Sequence, residues 1–148
     1  MLRYISLLSF LLICLSSKSQ NLTIYKSDKS VDETAAMITK IIKAGDLHFI
    51  EMVSHDEICM KRGIQMSPTK IILFEDPEVS ALLIACQPTA AIDLPLRIIV
   101  WEENEDVYVG YMDPRLMTKR FMLASCEEYV GQLARLMIRV TTDAIRQL

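Results

Sequence analysis

Glycine is scarce in this chain: four residues in 148. A loop that cradles phosphate with backbone N–H groups needs clustered glycines, and a serine nucleophile elbow needs G-x-S-x-G; neither pattern occurs. Histidine is scarcer, with two residues, and the four cysteines form no C-x-x-C pair and no metal-ligand spacing. No metal or cofactor is therefore expected. Basic residues are outnumbered, 16 against 19 acidic. A nucleic-acid partner needs clustered Lys and Arg to neutralise phosphates, so that class is excluded. Long apolar runs are missing too. Ile5 to Leu15 is only eleven residues, too short for a bilayer core of about 30 Å.

That short run has another use. Arg3 supplies a positive start, Ile5 to Leu15 an apolar centre, and Ser17-Lys18-Ser19 small residues before Gln20. This is the three-part order of a cleaved secretory signal. The reading divides the chain into a signal over 1–19 and a single α+β domain over 20–148. The mature protein would be exported, periplasmic or extracellular, with no membrane span. Cys14 follows Leu11-Leu12-Ile13. Ile13 is too bulky for the small residue that precedes an acylated cysteine, which argues against a lipoprotein. Losing Arg3 and Lys18 takes the basic count from 16 to 14 against 19 acids, a net charge of −5. Three cysteines remain, Cys59, Cys86 and Cys126. The expectation is three buried, small apolar residues; one disulfide with one free thiol is the alternative.

Half the chain is hydrophobic (51%), and its patterning is readable. Leu22 to Lys26 alternates like a strand. Ser30-Val31-Asp32-Glu33 is a capping box, followed by apolar residues at helical spacing up to Gly45. Leu47 to Val53 is apolar on both faces and reads as a central strand. A short helix, Asp56 to Arg62, closes at Gly63. Thr69 to Phe74 is a compact strand. Asp76-Pro77 opens a helix with Val79, Leu82, Leu83 and Cys86 facing one way, and Pro88 stops it. Leu96 to Trp101 and Val107 to Tyr111 should pair as a hairpin. Asp113-Pro114 starts a short helix to about Arg120. Ser125-Cys126-Glu127-Glu128 reads as a second capping box before a long amphipathic helix. This order implies an α+β fold: an antiparallel or mixed sheet of about five strands with helices on one face.

Asp93-Leu94-Pro95-Leu96 is the most unusual stretch. Pro95 lacks an N–H and belongs at the start of the strand. It pushes Leu94 into extended backbone. Leu94 and Leu96 should share the core face. Asp93 is left at the strand entrance, where an Asx-type bond to the backbone is its structural use.

Several pieces together resemble the bacterial and archaeal family known as domain of unknown function 302. They are Val31-Asp32-Glu33-Thr34, His55 before a helix ending at Gly63, Pro68-Thr69 before Ile71 to Phe74, and Asp76-Pro77. Ile92 to Leu96 running into Val100-Trp101-Glu102 is the most specific, with Tyr111 and Asp113-Pro114 after it. The chain departs from that pattern in four places. Glu75-Asp76 stands for Gly-Asn, Val79-Ser80 for Gly-Thr, Asp106-Val107 for Asp-Gly, and Phe121-Met122 for His-Gly. The lost histidine weakens any site built on a histidine pair. The resemblance implies a curved antiparallel sheet with helices packed on it, similar to the TATA-box-binding protein. It carries no activity, and shared fold would not imply DNA binding.

The candidate ligand or structural residues are His55, Asp93, Pro95 and Asp113; no catalytic residue is assigned. His55 and Cys59 share a helix face, but a zinc site would need His48 and Cys86 to join from afar. A Cys-His nucleophile needs geometry that the sequence does not supply. The expected function is a non-catalytic exported module binding a small ligand or a protein. The alternative is a small enzyme using His55 and Asp93 as an acid/base pair. A homodimer is also expected, because Ile138 and Ile145 lie off the apolar stripe of the last helix.

Overall fold

The computed structural model describes residues 21–147. The signal reading over 1–19, Gln20 and Cys14 lie outside them. Five strands, β1 (Leu22–Ser27), β2 (His48–Ser54), β3 (Thr69–Glu75), β4 (Leu96–Glu103) and β5 (Asp106–Met112), form one sheet in the order β1-β5-β4-β3-β2. Every pairing is antiparallel. Among the described residues five α-helices accompany them: α1 (Val31–Ala44), α2 (His55–Met60), α3 (Pro77–Cys86), α4 (Leu116–Arg120) and α5 (Glu127–Arg146). The fold is α+β, and the sheet is wholly antiparallel.

Local chemistry sets the helix starts. Ser30 Oγ accepts from Glu33 N, and Glu33 Oε2 accepts from Ser30 N at 3.1 Å. Val79 N donates to Asp76 Oδ1 at 3.1 Å, with Pro77 in the first turn of α3. The hairpin between β4 and β5 turns on Asn104 and Glu105, both with positive φ, the geometry that suits the twist of paired strands.

Helix α1 leaves edge strand β1, crosses one face of the sheet, and delivers the chain to the opposite edge at β2. Val31, Ala35, Ile38 and Ile42 on α1 are buried. On the strands, Ile72 and Phe74, then Leu96, Ile98 and Val100, then Val107, Val109 and Tyr111 are buried with them. Helix α5 closes this layer through Val130, Leu133, Met137 and Val140. The period of two along each strand turns one face to this core and leaves the other uncovered.

Four sequence expectations need correction. Strand β2 is an edge strand, not a central one; Ile50 and Met52 are exposed there, beside a register shift between Phe49 and Glu51. Ser125 does not cap α5. It sits in the 3-10 turn Ala124–Cys126, and no side chain caps that helix. Leu82 faces solvent while Val79 and Leu83 are buried. Finally, the cysteines are not three buried apolar residues. Cys86 and Cys126 form a disulfide, and Cys59 is free. The end of α3 meets the turn before α5, which sets these two Cα atoms 6.4 Å apart, within disulfide reach.

Candidate functional site

Asp93, Pro95 and Asp113 lie at one end of the sheet. Strands β4 and β5 are antiparallel, so the start of one and the exit of the other are neighbours. Pro95 directly precedes β4, after a cis peptide bond from Leu94. Leu94 is extended and packs partly against the core, and Leu96 is buried. A cleft of about 80 Å³ opens there, lined by Asp93, Arg97, Asp113 and Arg120 over Met117 and Met137. Small-molecule sites usually enclose about 300–1,000 Å³, so this cleft is too small for an organic ligand of ordinary size.

Both carboxylates are already engaged. Arg120 Nη1 donates to Asp93 Oδ2 at 2.5 Å. Asp93 thus makes no bond to the Leu96 backbone but holds the end of α4. Arg115 donates to both oxygens of Asp113 through Nε, at 3.0 and 2.9 Å, and through Nη2 at 2.6 Å. The Arg115 guanidinium keeps the Asp113 carboxyl below the usual carboxylate range. Tyr111 stays protonated, since burial pushes its hydroxyl up to about 12. No sequence signal links Asp93 to Arg120, which lies 27 residues on.

The Asp93–Arg120 pair is partly exposed, and such pairs contribute about 0–1 kcal/mol. Asp93→Asn is therefore expected to lower stability by about 1 kcal/mol or less in urea titration. A loss of several kcal/mol would show instead that this carboxylate holds the sheet end together.

His55 is not part of this group. It follows Ser54, which pairs with Lys70, and Lys70 pairs with Val100. Asp93 precedes Leu96, which pairs with Phe74. The two levels are four residues apart along β4, about 13 Å at 3.3 Å per residue. His55 and Asp93 sit at opposite ends of the sheet and line no common cleft. His48 lies at the edge on β2, 3.3 Å from Glu75. Cys86 is held in the disulfide, which takes it out of any ligand set with His55, Cys59 and His48. Among the described residues, no three of His, Cys, Asp and Glu come together as metal ligands.

The larger feature is the uncovered face of the sheet. Ile71 and Leu73 on β3, Ile99 and Trp101 on β4, and Tyr108 on β5 alternate with the buried residues and are only partly buried. Leu22 and Ile24 extend this surface onto β1. Trp101, the chain's one tryptophan, stacks on Tyr108 with ring centroids 5.4 Å apart. It also lies over Gly110, where a Cβ would meet its ring at 3.0 Å. A side chain there would push the indole outward by a few tenths of an ångström. Beside it a broad depression of about 540 Å³ is lined by Leu22, Ile24, Thr69, Ile99, Trp101, Glu103 and Tyr108. Sequence reading set the acid-bearing tetrapeptide first and missed this face. The signal was there in the second, outward set of apolar residues on β3 and β4.

The family model described as domain of unknown function DUF302 matches residues 23–140. The crystal structure of an uncharacterized conserved DUF302 protein from Bacillus stearothermophilus superposes with a TM-score of 0.78. The superposition covers 86% of this chain and 99% of that one, at 15% sequence identity. The fluoride-specific ion channel FluC 1 of Brucella suis biovar 1 is 27% identical over 99 residues, 66% of this chain and 39% of its own length. The FluC 1 protein of Brucella abortus biovar 1 is similar to the same extent, over 37% of its length. The chain thus spans about two fifths of the curated relatives it matches. No helix among the described residues is long and apolar enough to cross a membrane.

Proposed function

The chain belongs to the family of domain of unknown function DUF302, and on that footing we propose that it is an exported, non-catalytic binding module whose working surface is the uncovered sheet face. One observation carries this reading. Ile71, Leu73, Ile99, Trp101 and Tyr108 form a contiguous apolar surface on a sheet whose other side is covered by α1 and α5. Contiguous apolar surface of this kind on a soluble domain marks a contact site, and aromatic residues with a polar tip are favoured in such contacts. The Cys86–Cys126 disulfide supports export, because disulfides persist in oxidising compartments.

The enzyme alternative has little left to rest on. A general base must come within hydrogen-bond reach of its partner group. His55 and Asp93 are at opposite ends of the sheet, and Asp93 and Asp113 are each paired with an arginine. The match covers only part of a fluoride-specific channel, and no helix among the described residues is long and apolar enough to cross a membrane, so it lends this reading no channel function.

The test is site-specific photo-crosslinking in the native envelope. A benzoylphenylalanine placed at Ile99, on the open face, is expected to give a discrete adduct. The same group at Arg139, exposed on α5, is expected to give none. Adducts from Arg139 alone would move the working surface to the helices and refute the reading.

A further inference from the structure

We propose that the occupant of the open face is a second copy of this chain, docked sheet on sheet about a two-fold axis running across the strands. This rests on the reading that the open face is the binding surface, and goes on to name its partner. Arg97, Ile99, Trp101 and Glu103 alternate with Leu96, Ile98, Val100 and Glu102 along β4, so all four share the outer face. β4 is the middle strand of five. The order of the four side chains is cation, apolar, apolar, anion. A two-fold axis across the middle of β4 runs the partner's strand in the opposite direction. It places Arg97 against the partner copy's glutamate at the Glu103 position, and Ile99 against its tryptophan. The same contacts repeat on the other side of the axis, as a closed two-fold interface requires.

Charge decides between the available symmetries. A two-fold axis along β4 would set Arg97 against its own copy and Glu103 against its own copy, and like charges facing each other suppress a complex. Neither the Arg97 nor the Glu103 side chain forms a hydrogen bond or ion pair within the described residues. Both are therefore free for a partner. Lys26 is matched with Asp106 at 2.8 Å and His48 with Glu75, while Glu51, opposite Leu73 on edge strand β2, stands exposed at the rim of the face.

The dimensions suit a second sheet. Five strands about 4.8 Å apart and six residues at about 3.3 Å give a footprint of roughly 24 by 20 Å. That is on the order of 500 Å² in projection, and a corrugated layer of side chains exposes more than its projection. A stable interface buries about 800 Å² per partner. Face-to-face sheets cross at about 30°. At about 10 Å from the axis that angle displaces facing residues by about 5 Å, within the reach of Arg and Glu side chains.

The experiment is sedimentation equilibrium of the full chain, with Arg97→Glu, Glu103→Arg and the two combined. The chain is expected to dimerise at micromolar concentration, with Trp101 emission shifting to the blue as the dimer forms. Each single reversal is expected to weaken the dimer at least tenfold by turning two attractive contacts into repulsive ones. The double variant restores the pairing with the signs exchanged, and its affinity is expected to return to within about threefold. A chain that stays monomeric to high micromolar concentration overturns the proposal. So does a dimer indifferent to both reversals, which would place the contact elsewhere. The wild-type crosslink at Ile99 separates this proposal from the reading beneath it. An adduct of twice the chain's mass supports the second copy. An adduct of any other mass overturns the second copy and leaves the open face as the binding surface. No adduct at all overturns both.

Discussion

Replacing Cys86 and Cys126 together with alanine is expected to lower stability by roughly 3–4 kcal/mol. The two residues are 40 apart in sequence. Cross-linking a loop of that length removes denatured-state entropy worth about 4 kcal/mol in the chain-entropy treatment, and natural disulfides typically contribute about 2–4 kcal/mol. The bond joins the end of α3 to the turn that launches α5. The loop it closes therefore contains β4, β5 and α4, with the whole Asp93–Arg120 region. Urea unfolding of the oxidised wild type, the reduced wild type and the double alanine variant provides the measurement. The last two are expected to coincide. Midpoints equal to that of the oxidised protein would mean the disulfide adds nothing to stability. Cys59→Ala is the control and leaves this bond untouched.

Phe74→Ala is expected to cost about 3–5 kcal/mol, the range for deleting a fully buried aromatic side chain. Phe74 is 0% exposed on β3. Leu96 pairs with it on one side and Phe49 on the other, and the helix layer lies over it. Helix α1 spans this region, so the surroundings cannot collapse freely into the cavity. A small domain holds only about 5–15 kcal/mol in all, and the variant should unfold near ambient temperature. Leu73→Ala, one residue away on the open face, is expected to cost about 1 kcal/mol, because that side chain is already partly in water. Measured by urea titration at low protein concentration, the two values should differ severalfold. Equal losses would show that the two faces of the sheet are buried alike, and would remove the basis for an open face.

The homodimer expected from the last helix finds less support there than on the sheet. Ile145 packs partly against the core, and Ile138 alone is left exposed on that flank. A single exposed isoleucine is ordinary surface. The larger exposed apolar surface lies on β3, β4 and β5. Helical spacing placed Ile145 off the stripe, but a stripe drawn on a wheel does not show how wide a groove the helix rests in.

What the amino-acid sequence determined by itself is most of what depends on residues within a turn or two of one another. Ser30 and Glu33 make their capping box, and Asp76 and Pro77 start α3. The strands lie where alternation put them, Pro95 stands just ahead of β4, and the α+β class with one sheet and one helix layer follows from the order of elements. Tertiary structure alone decided which strand is where and who meets whom. Leu47 to Val53 is apolar enough for the centre of a sheet, yet α1 carries the chain across to the far edge, so β2 has a partner on one side only. Ser125 has a capping sequence, but it lies in a 3-10 turn beside the disulfide-bonded Cys126. Asp93 meets Arg120 and not His55, because two antiparallel strands return the chain to the same end of the sheet. These contacts join residues 27 to 40 apart, and no local propensity spans that distance. They exist because burying Ile72, Phe74, Ile98 and Val109 under α1 and α5 draws these distant segments together.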